Sequence, residues 1–185
     1  MQTRSSALRC WPGLMLALFL ACLSSPALAD WRSAMPDARL VGSGDFRWFG
    51  LRVYTARLWS PVTPAGFEQP FALELIYHRS IQRETLVDAS LDEMRRIGGR
   101  QADQATLARW AEELQRAFAD VAPGQRITGE YLPGRGCRFY LDGQLRHEIA
   151  DPALARAFFA IWLGPGTRSP ELRRALLGLN TETSP

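Results

Sequence analysis

Residues 40–59, "LVGSGDFRWFGLRVYTARLW", admit two readings with different architectures. Gly42-Ser43-Gly44 could open a phosphate-cradling loop or mark the bend of a strand. A phosphate loop needs a helix N-terminus directly after its glycines, because free N–H groups and the helix dipole hold the anion. The residues after these glycines form strand instead: Phe46, Trp48, Val53, Tyr54, Thr55 and Trp59 favour a pleated chain. Gly50 breaks the run in two, and no Gly-Lys-Ser/Thr ending is present. The stretch reads as a bent strand or hairpin. It leaves a question, because Arg47, Arg52 and Arg57 sit among the aromatics.

Further along, "FALELIY" (71–77) alternates like a half-buried strand. The period then changes. From Gln82 to Ile97 the residues Leu86, Val87, Ser90, Leu91, Met94 and Ile97 share one helical face, ended by Gly98-Gly99. A second helix starts near Asp103, its stripe running through Leu107, Trp110, Ala111, Leu114, Phe118 and Val121 to Pro123-Gly124. Trp110 is expected to be buried. Three short strands come next, "QRITGEYL", "CRFYLDG" and "QLRHEIA", the last two joined by the hairpin signal Asp142-Gly143. Asp151 and Pro152 then open a helix that closes at Gly164, and Ser169, Pro170 and Gly178 repeat that grammar. The order predicts an α+β domain, an antiparallel sheet with helices packed on one face and the other face partly open.

Of the 185 residues, 1–29 read as a signal peptide that is removed, and 30–185 as a single domain. Arg4 and Arg9 precede the apolar "GLMLALFLACL", and "ALA" ending at Ala29 suits ordinary signal peptidase. Cys22 in "FLAC" offers a lipoprotein alternative, but Phe19 stands where leucine is usual. The apolar run is short for a stable membrane span. The expected location is periplasmic or secreted. Without Arg4 and Arg9 the arginines nearly balance the 19 acidic residues, and no lysine occurs. Scattering of arginines among acids, as in "DEMRRIGGR", argues against nucleic acid. Cys137 alone lies beyond the leader, so stability rests on the core; it alternates as a buried small hydrophobe.

Motifs for chemistry are sparse. His78 and His147 stand far apart with no clustered carboxylates, so neither a metal nor a cofactor site is expected. No Gly-x-Ser-x-Gly elbow occurs. Glu84, Asp88, Asp92, Glu112 and Glu113 fall mainly on solvent faces, with Asp92 and Arg96 spaced as a surface ion pair. Phe158, Phe159 and Trp162 read as core, with room for an apolar pocket beside them.

Three segments together resemble the chalcone isomerase-like family, and within it a bacterial exported branch. They are "GSGDFRWFGLRVYTARLW", "LELIYHRSIQRETLVDASLDEMRRIG" and "GEYLPGRGCRFYLDGQLRHEIADPALARAFFAIWLGPGTRSPELRRALLG". The last carries the most specific features, a Tyr-x-Pro-Gly-x-Gly turn and a Trp-Leu-Gly ahead of Ser-Pro-Glu-Leu. The resemblance implies the chalcone isomerase-like fold, with a ligand cleft between sheet and helices. Plant isomerases of the family close a flavanone ring, and fatty-acid-binding relatives use an arginine for a carboxylate. That arginine position falls on Phe46, with Arg47 one step beyond. The family's first threonine falls on Arg52, its tyrosine near Ile81 or Gln82, its asparagine near Asp88 and its last threonine near Ile161. No catalytic identity is kept, so no catalytic residue is assigned.

The ligand-binding candidates are Phe46, Arg47, Arg52, Tyr54, Asp88 and Ile161. Arg47 or Arg52 could meet a carboxylate or phenolate in the cleft, or simply lay its stem along the aromatics with its head in water. Three functions stay open: non-catalytic binding of a small amphipathic or lipid-like ligand, an intramolecular lyase or isomerase, and a partner-binding scaffold whose cleft is filled by side chains. No particular protein partner is indicated.

Overall fold

Six strands lie side by side in the order in which the chain visits them. The computed structural model describes residues 30–63, 65–99 and 103–179, so the leader expected at 1–29 lies outside the described residues. After the short helix α1 (Trp31–Ala34) come β1 (Arg39–Trp48), β2 (Leu51–Ser60) and β3 (Phe71–Tyr77). Helices α2 (Arg83–Gly98) and α3 (Gln104–Ala117) are next, then β4 (Arg126–Leu132), β5 (Gly136–Leu141) and β6 (Gln144–Ile149). Helices α4 (Pro152–Leu163) and α5 (Pro170–Leu176) end the described chain. Every strand pair is antiparallel. The α+β architecture expected from the periodicity is the one observed.

Alternation sorts the strand side chains. Leu58, Phe71, Leu73, Tyr131 and Phe139 join the core that the four longer helices cover. There Phe71 stacks on Tyr131, its partner across the β3–β4 ladder, with ring centroids 4.8 Å apart. Local chemistry starts the helices where composition placed them. The Asp103 carboxylate accepts from the Thr106 amide at 2.7 Å, and Asp151 Oδ1 accepts from the Ala153 and Leu154 amides at 2.9 and 3.0 Å. Trp110 is buried, and its indole N–H donates to Asp151 Oδ2 at 3.0 Å, tying α3 to the start of α4. The stripe expected to run to Val121 ends sooner. Phe118 turns to extended geometry, and Val121 exchanges two 3.0 Å hydrogen bonds with Ile81, although both Phe118 and Val121 stay in the core.

The glycines of "GSG" lie inside β1, neither in a loop nor at a strand entrance. Helix α5 crosses directly over them. A Cβ on Gly42 would stand 2.0 Å from the Ala175 carbonyl oxygen, and one on Gly44 would stand 2.8 Å from Leu172 Cδ1. Close backbone approach requires them.

The opposite face is less open than expected. Helix α1 brings Trp31 and Met35 onto Ala72 and Tyr140, with Trp59 alongside. Strand β3 is accordingly buried on both faces, not on one. Glu74 is fully buried, ringed by Arg57 at 3.6 Å, Arg126 at 3.5 Å and Arg32 at 3.9 Å. Beside it the Tyr140 hydroxyl donates to buried Glu130 at 2.7 Å. This accounts for Arg57: it neutralises a carboxylate on the far side of the sheet. The ion pair expected between Asp92 and Arg96 does not form, because Arg95 takes Asp92 at 2.9 Å and Arg96 takes Glu93 at 2.6 Å. Cys137 is fully buried, and that burial pushes its thiol pKa up, so the thiolate is suppressed.

Two hairpins use the same tight turn. In Asp142-Gly143 both residues have positive φ, 49° and 86°; in Phe49-Gly50 the values are 49° and 79°. Asp is a usual occupant of such a turn. A phenylalanine held there costs on the order of 1–3 kcal/mol of local strain.

Candidate functional site

A cavity of about 770 Å³ opens between the inner face of the sheet and helices α2, α4 and α5. Its floor is apolar, with Leu75 and Ile127 from the sheet, Leu86 from α2, Phe158 and Ile161 from α4, and Leu172 from α5. Helix α4 presents this face because Phe158, Ile161 and Trp162 follow the helical three-four spacing. Phe159, one step round, is wholly core.

Tyr54, Tyr77 and the Trp162 indole N–H are among the polar groups that break the apolar lining. Tyr54 stacks on Phe46 at 5.0 Å, its partner across the β1–β2 ladder, and meets Tyr77 edge-on at 6.0 Å. The Trp162 indole N–H donates to the Tyr54 hydroxyl at 2.9 Å. Desolvation raises the pKa of both Tyr54 and Tyr77, so each phenol stays protonated and keeps a proton to donate. The rim is charged. Glu93 accepts from Arg96 at 2.6 Å and Arg168 at 2.7 Å, while Arg96 also donates to the Gly166 carbonyl at 2.8 Å. This clasp holds the α4–α5 loop, with Thr167 and Ser169, against α2 over the cavity.

Of the six residues singled out from sequence, Phe46, Arg47, Tyr54 and Ile161 line the cavity, and Arg52 and Asp88 do not. Asp88 stands on the exposed side of α2, whose cavity side carries Thr85, Leu86, Ala89 and Ser90. Its helical phase turns it away. Arg47 and Arg52 are neighbours because the β1–β2 register shifts after Phe46, leaving Val53 as an extra residue on β2. Arg47 reaches the rim, and Arg52 stays outside. Both approach Asp45 Oδ2, at 3.5 and 3.6 Å. Asp45 Oδ1 accepts from the Thr55 hydroxyl at 2.7 Å, and this bond, ahead of the two arginines, holds its pKa below the ordinary value.

The histidines lie elsewhere. His78 meets the Thr55 hydroxyl at 2.8 Å, and His147 meets Glu113 at 2.7 Å; neither lines the cavity. Among the described residues no group of three or more His, Cys, Asp or Glu is placed to hold a metal ion. No described helix is long and apolar enough to cross a membrane. Sequence reasoning did not single out Trp48, Tyr77, Glu93 or Arg168 as lining residues, and it read Trp162 as core with room for a pocket beside it. Trp162 carried a signal, four residues after Phe158 on one helical face. Glu93 and Arg168 carried none, since their pairing joins segments far apart in the chain.

Residues 39–178 match the sequence profile of the family described as chalcone isomerase-like. Among solved structures the chain is similar to a fatty-acid binding protein of Arabidopsis thaliana, with a TM-score of 0.58 at 13% identity. That match covers 77% of this chain and 88% of the plant protein. At this identity the likeness is one of fold. No curated protein matches the chain in sequence.

Proposed function

The chain belongs to the chalcone isomerase-like family, and on that basis we propose that it binds a small amphipathic ligand without converting it. The carrying observation is the hollow, apolar cavity of about 770 Å³ with Arg47 at its rim. That volume suits a drug-sized or acyl-chain ligand. A hollow cleft favours ligand binding over a scaffold whose cleft is filled by its own side chains. The apolar part of the ligand lies along Ile161, Phe158 and Leu86, and its acid end meets Arg47, with the Tyr54 hydroxyl as donor. Arg47 is free to turn inward, because its present partners, Asp45 at 3.5 Å and the Gly50 carbonyl at 3.4 Å, are loose. One solved structure of similar fold is that of a protein named for fatty-acid binding, which supports a carboxylate head.

The lining supports absence of turnover. Its phenols, Tyr54 and Tyr77, are held protonated by desolvation, so neither serves as a general base near neutral pH, and its carboxylates, Asp92 and Glu93, are already paired with arginines. Export completes the reading: cleavage after Ala29 delivers the domain to the periplasm or beyond.

The test is titration with a fluorescent long-chain fatty acid and with the matching alcohol. Saturable binding is expected, weakened by Ile161→Trp for both ligands. Arg47→Ala should weaken the acid about tenfold or more and leave the alcohol nearly unchanged, as loss of a charge-assisted bond of about 1.5–3 kcal/mol requires. A hydroxychalcone incubated with the protein should lose absorbance no faster than in buffer alone. Saturable loss of that absorbance, abolished by Arg47→Ala, would make the isomerase reading the better one. N-terminal sequencing of exported protein should begin at Asp30, and a diacylated Cys22 would overturn the soluble form.

A further inference from the structure

The β1–β2 hairpin ends in an apolar tip that nothing in the described fold covers. Phe49 is 88% exposed, Trp48 57% and Leu51 55%. Trp48 and Leu51 face each other across the ladder, and Phe49 packs edge-on against Trp48 at 5.1 Å. The turn residue is the most telling of the three. The Asp142-Gly143 hairpin solves the same geometry with a polar residue at the same φ of 49°. At Phe49 a bulky apolar ring takes up a strained backbone in order to stand in solvent. Apart from its edge-on contact with the exposed Trp48 the ring stands in solvent, which points to a use outside the molecule.

Two arginines collar the tip. Arg47 and Arg52, each about half exposed, share one carboxylate, Asp45 Oδ2, at 3.5 and 3.6 Å. One positive charge is therefore in excess directly behind the aromatics. Aromatic rings ahead of guanidinium groups match the layering of an anionic bilayer surface, with acyl chains below and phosphates above. A protein partner fits poorly. A stable interface takes about 800 Å² from each side over a broad patch, whereas this is the convex end of one two-residue turn. The same residues also reach the cavity, since Arg47 and Trp48 lie on its rim.

We propose that the Trp48-Phe49-Leu51 tip inserts into the interface of an anionic lipid bilayer, with Arg47 and Arg52 on the headgroups, bringing the cavity mouth to the membrane. The docking rests on the tip alone. The further consequence, that an acyl ligand passes between bilayer and cavity along Trp48, rests on the ligand-binding reading above.

The experiment is flotation of the protein, recovered after expression with its own N-terminal segment, on vesicles of phosphatidylcholine with or without phosphatidylglycerol. Flotation should require phosphatidylglycerol and fall as salt is raised. Phe49→Gly/Leu51→Ser, which suits the positive φ and leaves the cavity lining intact, should lower it roughly tenfold or more. Arg52→Ala should lower it roughly fivefold. Fatty-acid titration without vesicles is run on the same variants and should not change. Should the titration show no binding while flotation still depends on the tip, docking stands and the cavity reading fails. Equal flotation of wild type and the Phe49→Gly/Leu51→Ser variant overturns the proposal. So does absence of flotation accompanied by tip-dependent dimers in sedimentation.

Discussion

Trp162 and Tyr54, on α4 and β2, meet at 2.9 Å with the indole donating and the phenol oxygen accepting. Because the oxygen accepts, the phenol proton is left to point elsewhere, and the cavity is where it can be used. Tyr54→Phe removes the acceptor and strands a buried N–H. A loss of about 1–3 kcal/mol is expected in denaturant unfolding, together with weaker binding of acids. In a double-mutant cycle with Trp162→Phe the two effects should be non-additive. Simple additivity would mean that the bond does not form in solution.

Gly42→Ala tests the seating of α5 on β1. The new methyl would meet the Ala175 backbone oxygen at 2.0 Å, and backbone cannot turn aside as a side chain can. The expected cost is about 1–3 kcal/mol or more, seen as a lowered urea midpoint. Ser43→Ala, at an exposed position between the two glycines, should change little.

Trp110→Ala opens a hole between α3 and the core and also frees the cap of α4. About 3–5 kcal/mol is expected from the lost packing. Trp110→Phe keeps most of the volume and should cost nearer ~1 kcal/mol for the hydrogen bond to Asp151. An unchanged midpoint in the alanine variant would contradict the burial of that helix face.

Glu113 predicts a pH dependence. The bond from His147, which a carboxylate can only accept, lowers the Glu113 pKa below its ordinary 4.5, with Arg116 adding to it. A carboxyl group with a depressed folded pKa contributes stability that is fully present above 4.5. That contribution is lost as pH falls through the lower folded value. The pair is partly exposed, so its worth is below about 1 kcal/mol. Glu113→Gln should cost that amount at pH 7, and the two stability curves should converge in acid. Parallel curves down to the lowest pH would rule out the linkage.

Much of the fold could be read from local grammar. Asp103 and the Asp151-Pro152 pair announce helix starts through bonds closed within a few residues, and "FALELIY" is β3 residue for residue. What stayed hidden depends on distant partners. Glu74 reads as the solvent side of a strand, yet it is fully buried because Arg57 and Arg126 on neighbouring strands and Arg32 on α1 close over it. The cavity followed the same divide. Phe46, Tyr54 and Ile161 line it, whereas the pairing of Arg47 with Arg52 turns on one extra residue at Val53, a register detail that no alternation pattern reveals.

The strand order has a kinetic side. Where sheet order equals chain order, β1–β2, β4–β5 and β5–β6 are hairpins that can zip from their own turns. β2–β3 needs only a short connection. The β3–β4 seam is different, because the whole α2–α3 excursion must be looped out before Phe71 can find Tyr131. Closing that loop loses the most chain entropy before any contact compensates for it. The halves on either side should therefore gain structure first, and the slow step of refolding should be the docking of β4 onto β3. Substitutions at the Phe71–Tyr131 stack would then slow folding, whereas Gly42→Ala, on the outer strand, would chiefly hasten unfolding.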